Sequence, residues 1–351
     1  MSFSRKQFKD VNLSSPFFDS LKSDYAEFSD WFAKKSEEFA YVFETEEGVI
    51  DGFLYLKVED GAVSDINPSL PEARRIKIGT FKVNAHGTKL GERFVKKIFD
   101  HAISASVNEI YLTVFAEHSG LIALLTRYGF FAIGEKKTTN GTEIVLLKTF
   151  KRLSGDVVAD YPLVRLSDQR VFLLSLHPQW HTRLLPDSIL KTEDADIVQD
   201  ISPTNSIHKV YLTAMSGTKE LQKGDVLLMY RTTDGQAPAH HRSVATSICV
   251  VEEFRSIYSF ASQEEFLEYC RPYSIFSEAE LVGFWNRKKY PYIIRFTYNI
   301  ALKKRITRGV MIEEVGLDGS HGTYWGFLPI SHQQLLEISR KGKIDESLIV
   351  N

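Results

Sequence analysis

Cysteine is nearly missing from this sequence. Only Cys249 and Cys270 occur in 351 residues, and neither sits in a CxxC or a Cys/His cluster. That excludes a cysteine-rich zinc site and a disulfide framework, and it makes a reducing cytoplasm the expected compartment. Long apolar runs are missing as well. No stretch approaches the ~20 apolar residues that a membrane helix needs. The start, MSFSRKQFKD, has no apolar core of signal-peptide length. A soluble protein without a membrane partner is therefore expected. Charge of one sign is also lacking: the net charge of −2 excludes a wholly basic nucleic-acid coat but leaves room for a local basic face. Internal repeats and low-complexity tracts are absent. What is present is 43% hydrophobic and 25% charged residues, the balance of a globular chain. The length suggests two or three compact units.

The first half alternates helix and strand signals. Phe17, Phe18, Leu21, Tyr25, Phe28, Trp31 and Phe32 recur at three- and four-residue steps, as on one helical face or two short helices. "YVFETEEGVIDGFLYLKVED" gives two strands around a Glu-Glu-Gly turn. "ARRIKIGTFKV" is a further strand, and Leu90, Phe94, Val95, Ile98, Phe99 and Ala102 mark a helix buried on one side. "NEIYLTVF" is another strand, "SGLIALLTRYGF" a short helix stopped by Gly129, and "EIVLLKTF" a final strand. Composition changes near Ser154, towards more turns, more proline and shorter strand spacing. The boundary is expected between about Phe150 and Tyr161, with units 1–152 and 153–351.

Between the strand and helix around Phe81–Phe99 lies "VNAHGTKLG". A pyrophosphate is held well by unpartnered backbone N–H groups at a helix N-terminus, assisted by the helix dipole. Small residues in the turn let it approach the backbone closely. Asn84 to Leu90 supplies such amides, with Gly87 in the turn and Gly91 at the helix start. An ordinary strand-to-helix turn is the competing reading.

The order of elements across roughly residues 1–150, together with this loop, resembles the GNAT family of acetyl-CoA-dependent N-acetyltransferases. The family's loop motif is R/Q-x-x-G-x-G/A, and "HGTKLG", His86 to Gly91, aligns with it. Gly91 matches the last position; Lys89 replaces the first glycine and His86 the usual Arg or Gln. "LLTRYGF", Leu124 to Phe130, matches the later "LYEKLGF"-like signature. The resemblance implies a mixed sheet flanked by helices that binds acetyl-CoA as cosubstrate. It implies that the backbone of Phe81, Lys82 and Val83 pairs with the pantetheine arm. His86, Gly87, Thr88, Lys89, Leu90 and Gly91 would then hold the pyrophosphate, with the Lys89 ammonium adding charge. The tyrosine that serves as acid in many members falls at Leu125, which cannot donate a proton. Tyr128, His118 and Glu117 are the remaining candidates for proton transfer, with a packed tyrosine and a surface turn as the competing readings.

In the second half "QRVFLLSL", "HKVYLTAM", "GDVLLMYR", "SVATSICVVEEF" and "YPYIIRFTYNI" are strands, interrupted by helical "SQEEFLEYCR" and "SEAELVGFWNR". A small mixed β-barrel with inserted helices is expected. "VFLLSLHPQWHTRLL" and the strands after it resemble the ASCH group of the PUA-like superfamily, associated with RNA or modified-nucleobase binding. Lys191-Thr192 lacks the glycine and register of that group's hydrolytic "GxKT" phrase, so hydrolase activity is not carried over.

Asn286 to Arg308 holds Arg287, Lys288, Lys289, Lys303 and Lys304 without an acidic residue, interleaved with Tyr290, Tyr292, Phe296 and Tyr298. Cations that neutralise phosphates, beside rings that stack on bases, suit RNA. Strand alternation offers another reading: core aromatics with a solvated charged rim. His177, Trp180, Arg183, Tyr230 and Arg231 could grip a nucleobase and its phosphate. No carboxylate or cysteine joins the histidines at ligand spacing, so no metal is expected.

The α/β chain is thus expected to be an acetyl-CoA-dependent acetyltransferase whose second unit recognises RNA or a nucleotide. A protein or small-molecule amine as acceptor stays open. So does a non-catalytic nucleic-acid-binding protein with a degenerate acetyltransferase fold. No sequence feature sets an oligomeric state.

Overall fold

The structure, a computed structural model, describes residues 2–84, 89–188, 206–235 and 238–351. The chain is of mixed α/β class and divides into two compact units, Met1–Arg152 and Leu153–Asn351.

The first unit runs β1 (Ser2–Gln7), α1 (Asp19–Asp24), α2 (Phe28–Lys34), β2 (Phe39–Glu44), β3 (Ile50–Val63) and β4 (Leu70–Val83). It continues with α3 (Leu90–Ser104), β5 (Glu109–Phe115), α4 (Ser119–Arg127), β6 (Phe131–Thr138) and β7 (Gly141–Thr149). Its seven strands form one sheet in the order β1-β2-β3-β4-β5-β7-β6. Every neighbouring pair is antiparallel except β4 with β5, which α3 connects. β1 and β6 escaped the pattern reading, because their alternation is carried by polar and charged residues that give little period-2 signal.

Helices cover both faces. Phe53 and Tyr55 of β3 join Phe8, Phe18, Phe28 and Phe32 beneath α1 and α2. The opposite face meets α3, whose Leu90, Phe94, Val95, Ile98, Phe99 and Ala102 are buried at the spacing the sequence indicated. Each such large apolar side chain contributes about 1.5–3 kcal/mol by leaving water. Gly52 permits that approach, since a Cβ there would lie 2.3 Å from the Phe94 ring.

The second unit contains α5 (Val157–Asp160), β8 (Val164–Arg165), β9 (Val171–Leu176), α6 (Pro178–Leu184), β10 (His208–Thr213), β11 (Val226–Arg231) and α7 (Ala239–Arg242). It continues with β12 (Val244–Ser256), α8 (Gln263–Cys270), α9 (Glu278–Arg287) and β13 (Tyr292–Thr307). α10 (Arg308–Glu313), β14 (Phe327–Ile330), α11 (His332–Lys341) and β15 (Ile349–Val350) complete it. Six strands form a mixed sheet in the order β10-β13-β12-β11-β9-β14, and β15 pairs with β8. Among the described residues no pairing joins β10 to β14, so the expected barrel takes the form of a sheet with two ends. One face packs Leu227, Met229, Cys249 and Phe296. The other packs Val210, Leu212 and Ile293 against α8 and α9. Both cysteines are buried free thiols within these cores.

β4 is irregular just beyond Lys77. Tyr55 of β3 faces Thr80 while Leu56 faces Ile78, so Gly79 is an extra residue in the ladder. Its hydrogen faces Tyr55, where a Cβ would lie 2.6 Å from the ring. Gly79→Ala should cost about 1–3 kcal/mol by overpacking. Gly120, in α4 with nothing within 4 Å of its Cβ position, should accept alanine with a gain of roughly 0.5–1 kcal/mol. Hydrogen exchange of the β4 and α4 amides measures both; β4 protection unchanged in Gly79→Ala would refute the overpacking at Tyr55.

Candidate functional site

The site begins where β4 leaves β5. Those strands pair only at Ile76↔Ile110 and Lys77↔Tyr111, immediately before the bulge at Gly79. Beyond Lys77 they diverge, while β5 stays paired with β7 along its whole length. Peptide groups of β4 on that side therefore have no strand neighbour among the described residues. A cavity of about 830 Å³ fills the gap, with Lys77 to Asn84 and Leu112 to Val114 on opposite walls.

The start of α3 supplies one end of the cavity through Lys89, Leu90, Gly91 and Glu92. Lys89 precedes the helix with φ 58° and ψ 22°, the left-handed conformation that glycine adopts at least cost. Its exposed side chain leaves the backbone in the shape a glycine would give. Gly91 serves another purpose: a Cβ there would lie 2.8 Å from the end of the Leu124 side chain of α4, which would have to turn aside. Ala85, His86, Gly87 and Thr88 lie outside the described residues, so the His86, Gly87 and Thr88 assignments stand as sequence expectations. Phe81 packs its ring against Phe94 and lines the cavity. Lys82 reaches back to the Ser20 hydroxyl over the Phe17 ring, and burial pushes its ammonium below the ordinary range. It ties α1 to β4.

On α4 the residues facing the cavity are Gly120, Leu121 and Leu124. Leu125, the position at which a proton donor was sought, is fully buried, and Leu121 and Leu124 are the leucines of α4 that reach the cavity. Tyr128 is also fully buried, beside Phe99, and does not line the cavity. A phenol sealed from the cavity cannot deliver a proton into it, and we do not assign Tyr128 that role. Glu117 is exposed just outside the wall. His118 does line the cavity, with Nε2 3.5 Å from Asp24 Oδ2.

The other end was not read from the sequence. Asp24, Tyr25, Glu27, Phe28 and Trp31 come from α1 and α2, and Lys136, Thr138, Asn140 and Glu143 from β6 and β7. Tyr25 stacks on Phe115 and donates a 2.9 Å hydrogen bond to Glu143. Burial, then Glu143, hold its hydroxyl well above the ordinary tyrosine range, so it remains a donor. Asn140 donates to both oxygens of Glu27 at 3.1 and 2.9 Å. One signal was available: Glu143 is in phase with buried Val145 and Leu147, an acidic residue at an inward strand position.

No protein-family model matches the sequence, and no curated protein matches it. Solved structures do show a likeness. Naa20 of Chaetomium thermophilum, crystallised with a bisubstrate analogue, is 18% identical over 43% of this chain and 88% of its own, with a TM-score of 0.33. Ard1 of Thermoplasma volcanium is 13% identical over 42% of this chain and 98% of its own, at 0.32. A mutant ZmASCH protein of Zymomonas mobilis is 7% identical over 50% of this chain and 97% of its own, at 0.31. Likeness at this level carries no argument about activity.

In the second unit the proposed polyanion residues are dispersed. Arg287, Lys288 and Lys289 precede β13, while Lys303 and Lys304 lie near its far end, roughly 40 Å away along the strand. Phe296 and Tyr298 between them are core residues, so they offer no face for stacking. Lys288 lies over Trp285 and Lys289 over Tyr290. Trp180 packs on Phe276, and Arg183 donates to the Ile275 carbonyl. His177 and Arg231 do converge, because Leu176 pairs with Arg231 at the shared end of β9 and β11. Tyr230 is buried there against Trp325. His240 Nε2 lies 3.1 Å from Glu313 Oε1.

His181, behind that end, is fully buried and bonds Thr246 through Nε2 at 2.8 Å. Burial first, then Arg231 and Arg305, push its pKa from 6.5 to about 3. Between those values the unfolded chain takes up a proton that the folded one refuses. The stability contributed by neutral His181 is thus present above pH 6.5 and lost as pH falls, by up to about 1.4 kcal/mol per unit. Denaturation of wild type and His181→Gln from pH 7 to 4 should show a shallower acid slope in the variant. Equal slopes would refute the assignment.

Proposed function

We propose that Met1–Arg152 transfers acetyl groups from acetyl-CoA to an amine. The observation that carries this reading is the divergence of β4 from β5 beside the N-terminus of α3, opening on one cavity. Exposed β4 peptide groups suit an extended amide-bearing chain laid along them like a strand. The pantetheine arm is such a chain, and Phe81, Lys82 and Val83 would pair with it through their backbone. The α3 amides at Leu90 and Gly91, with the Lys89 charge, suit its pyrophosphate.

In the reaction the amine nitrogen forms a bond to the acetyl carbon, and the C–S bond breaks with its electron pair remaining on sulfur. His118, oriented by Asp24, takes the amine proton, and the thiolate is protonated from solvent. Leu121 and Leu124 offer no acid on the α4 side, so most of the rate must come from positioning.

A second reading, nucleotide binding by Leu153–Asn351, is favoured by one observation. Where β9 and β11 end together, Leu176 pairs with Arg231, which sets His177 and Arg231 at one end of the sheet.

Calorimetry with acetyl-CoA should show binding to wild type. Lys89→Glu should weaken it about 5–30-fold, since the reversed charge faces phosphates at the helix end. His118→Ala should lower kcat/KM by roughly 10²–10⁴-fold, with part of the loss recovered at alkaline pH where the amine is already neutral. No binding to the wild type would overturn the reading.

A further inference from the structure

The far lobe of the cavity bears on the acceptor. Glu143 is 4% exposed yet lines the cavity. Among the described residues it receives a hydrogen bond from Tyr25, and no cation lies within ion-pair distance of it. The nearby lysines are directed elsewhere. Lys136, its cross-strand neighbour, gives its ammonium to Asp65 at 2.6 Å. Lys77 lies over the Tyr111 ring. A buried carboxylate is costly unless a positive group joins it. Asp24 and Glu27 stand on the same lobe, and Phe28 and Trp31 supply its apolar wall. Lys82, coupled to Asp24 and bonded to Ser20, and His118 beside Asp24 leave Glu143 as the carboxylate placed to attract an ammonium.

An ammonium held by a carboxylate keeps its proton more tightly and has no lone pair to attack with. The group seated at Glu143 therefore cannot be the nitrogen that is acetylated. We propose that the acceptor is a small aliphatic diamine, one end anchored as a cation by Glu143 and Tyr25 and the other delivered to the thioester beside His118. This rests on the acetyl-transfer reading. The delivered ammonium gives one proton to His118 and the neutral nitrogen bonds the acetyl carbon; the C–S bond breaks onto sulfur, the nitrogen releases a second proton to solvent and the thiolate takes one from it, giving the mono-N-acetyl diamine and the free thiol.

The test compares 1,4-diaminobutane with n-butylamine, which shares its chain but has no second charge. Thiol release by wild type with acetyl-CoA should favour the diamine in kcat/KM by at least ~30-fold, the scale of a desolvated charge pair. Glu143→Gln, which keeps the side chain's shape, should remove that preference, mainly through KM. Tyr25→Phe should reduce it by a smaller factor. Equal use of the two amines, a preference that survives in Glu143→Gln, or turnover of neither while calorimetry shows acetyl-CoA bound would each overturn the diamine assignment. Absence of acetyl-CoA binding would instead overturn the acetyl-transfer reading, and the acceptor with it. The wild-type comparison requires no variant to fold.

Discussion

The first unit depends on a failed pairing. β4 and β5 form a two-residue parallel ladder and then separate, and each is held on its other side by a long antiparallel partner. Without β3 and β7 the strands would have no reason to remain apart, since unpaired peptide groups seek a neighbour. The bulge at Gly79 falls at the divergence, and the absence of a side chain there lets Tyr55 close the opposite face. The opening is thus enforced by packing on the closed side of β3 and β4. Tyr55 is fixed in turn by its hydrogen bond to Glu38 and its contacts with Phe8 and Trp31.

The cavity so formed is electrically two-ended. Near α3 the helix dipole and Lys89 present positive potential, while Glu92 in the first turn is engaged by Arg127 at 2.7 Å. At the other end stand Asp24, Glu27 and Glu143, while Lys136 pairs with Asp65, Lys82 bonds the Ser20 hydroxyl and Lys77 lies over Tyr111. A ligand pair with phosphates at one end and an ammonium at the other meets complementary potential along its length. His118, 3.5 Å from Asp24, belongs to the same wall as the acidic lobe.

Much of this fold was legible because periodicity is local. The apolar positions of α3 and the strands β3, β4, β5 and β7 follow from spacing alone, as do β9 to β13. The splay was not legible, since it is a property of two strands brought together by a crossover. The acidic lobe was hidden for the same reason. Tyr25 counted as one apolar position on a helix, although its hydroxyl meets a carboxylate 118 residues away. Composition misled in β13, where Tyr292 to Tyr298 looked like a stacking surface and alternation instead sends Phe296 and Tyr298 into the core. On α4, motif matching drew attention to Leu125, whereas the turn of the helix presents Leu121 and Leu124.

Lys89 shows why motif matching and backbone geometry can disagree. A glycine in such a loop does two separable things: it adopts a left-handed conformation cheaply, and it leaves space. Lys89 meets the first requirement at a cost of about 1–2 kcal/mol, the ordinary penalty for an L-residue in that region. The second is relaxed because its side chain is exposed at the edge of the cavity rather than packed in the turn. Gly91 answers to a different constraint. Its constraint is the Leu124 side chain of a neighbouring helix, which a longer residue would have to displace. The shape of the turn therefore resides in the dihedral angles at Lys89 and the helix contact at Gly91, and a letter-by-letter comparison registers only the second.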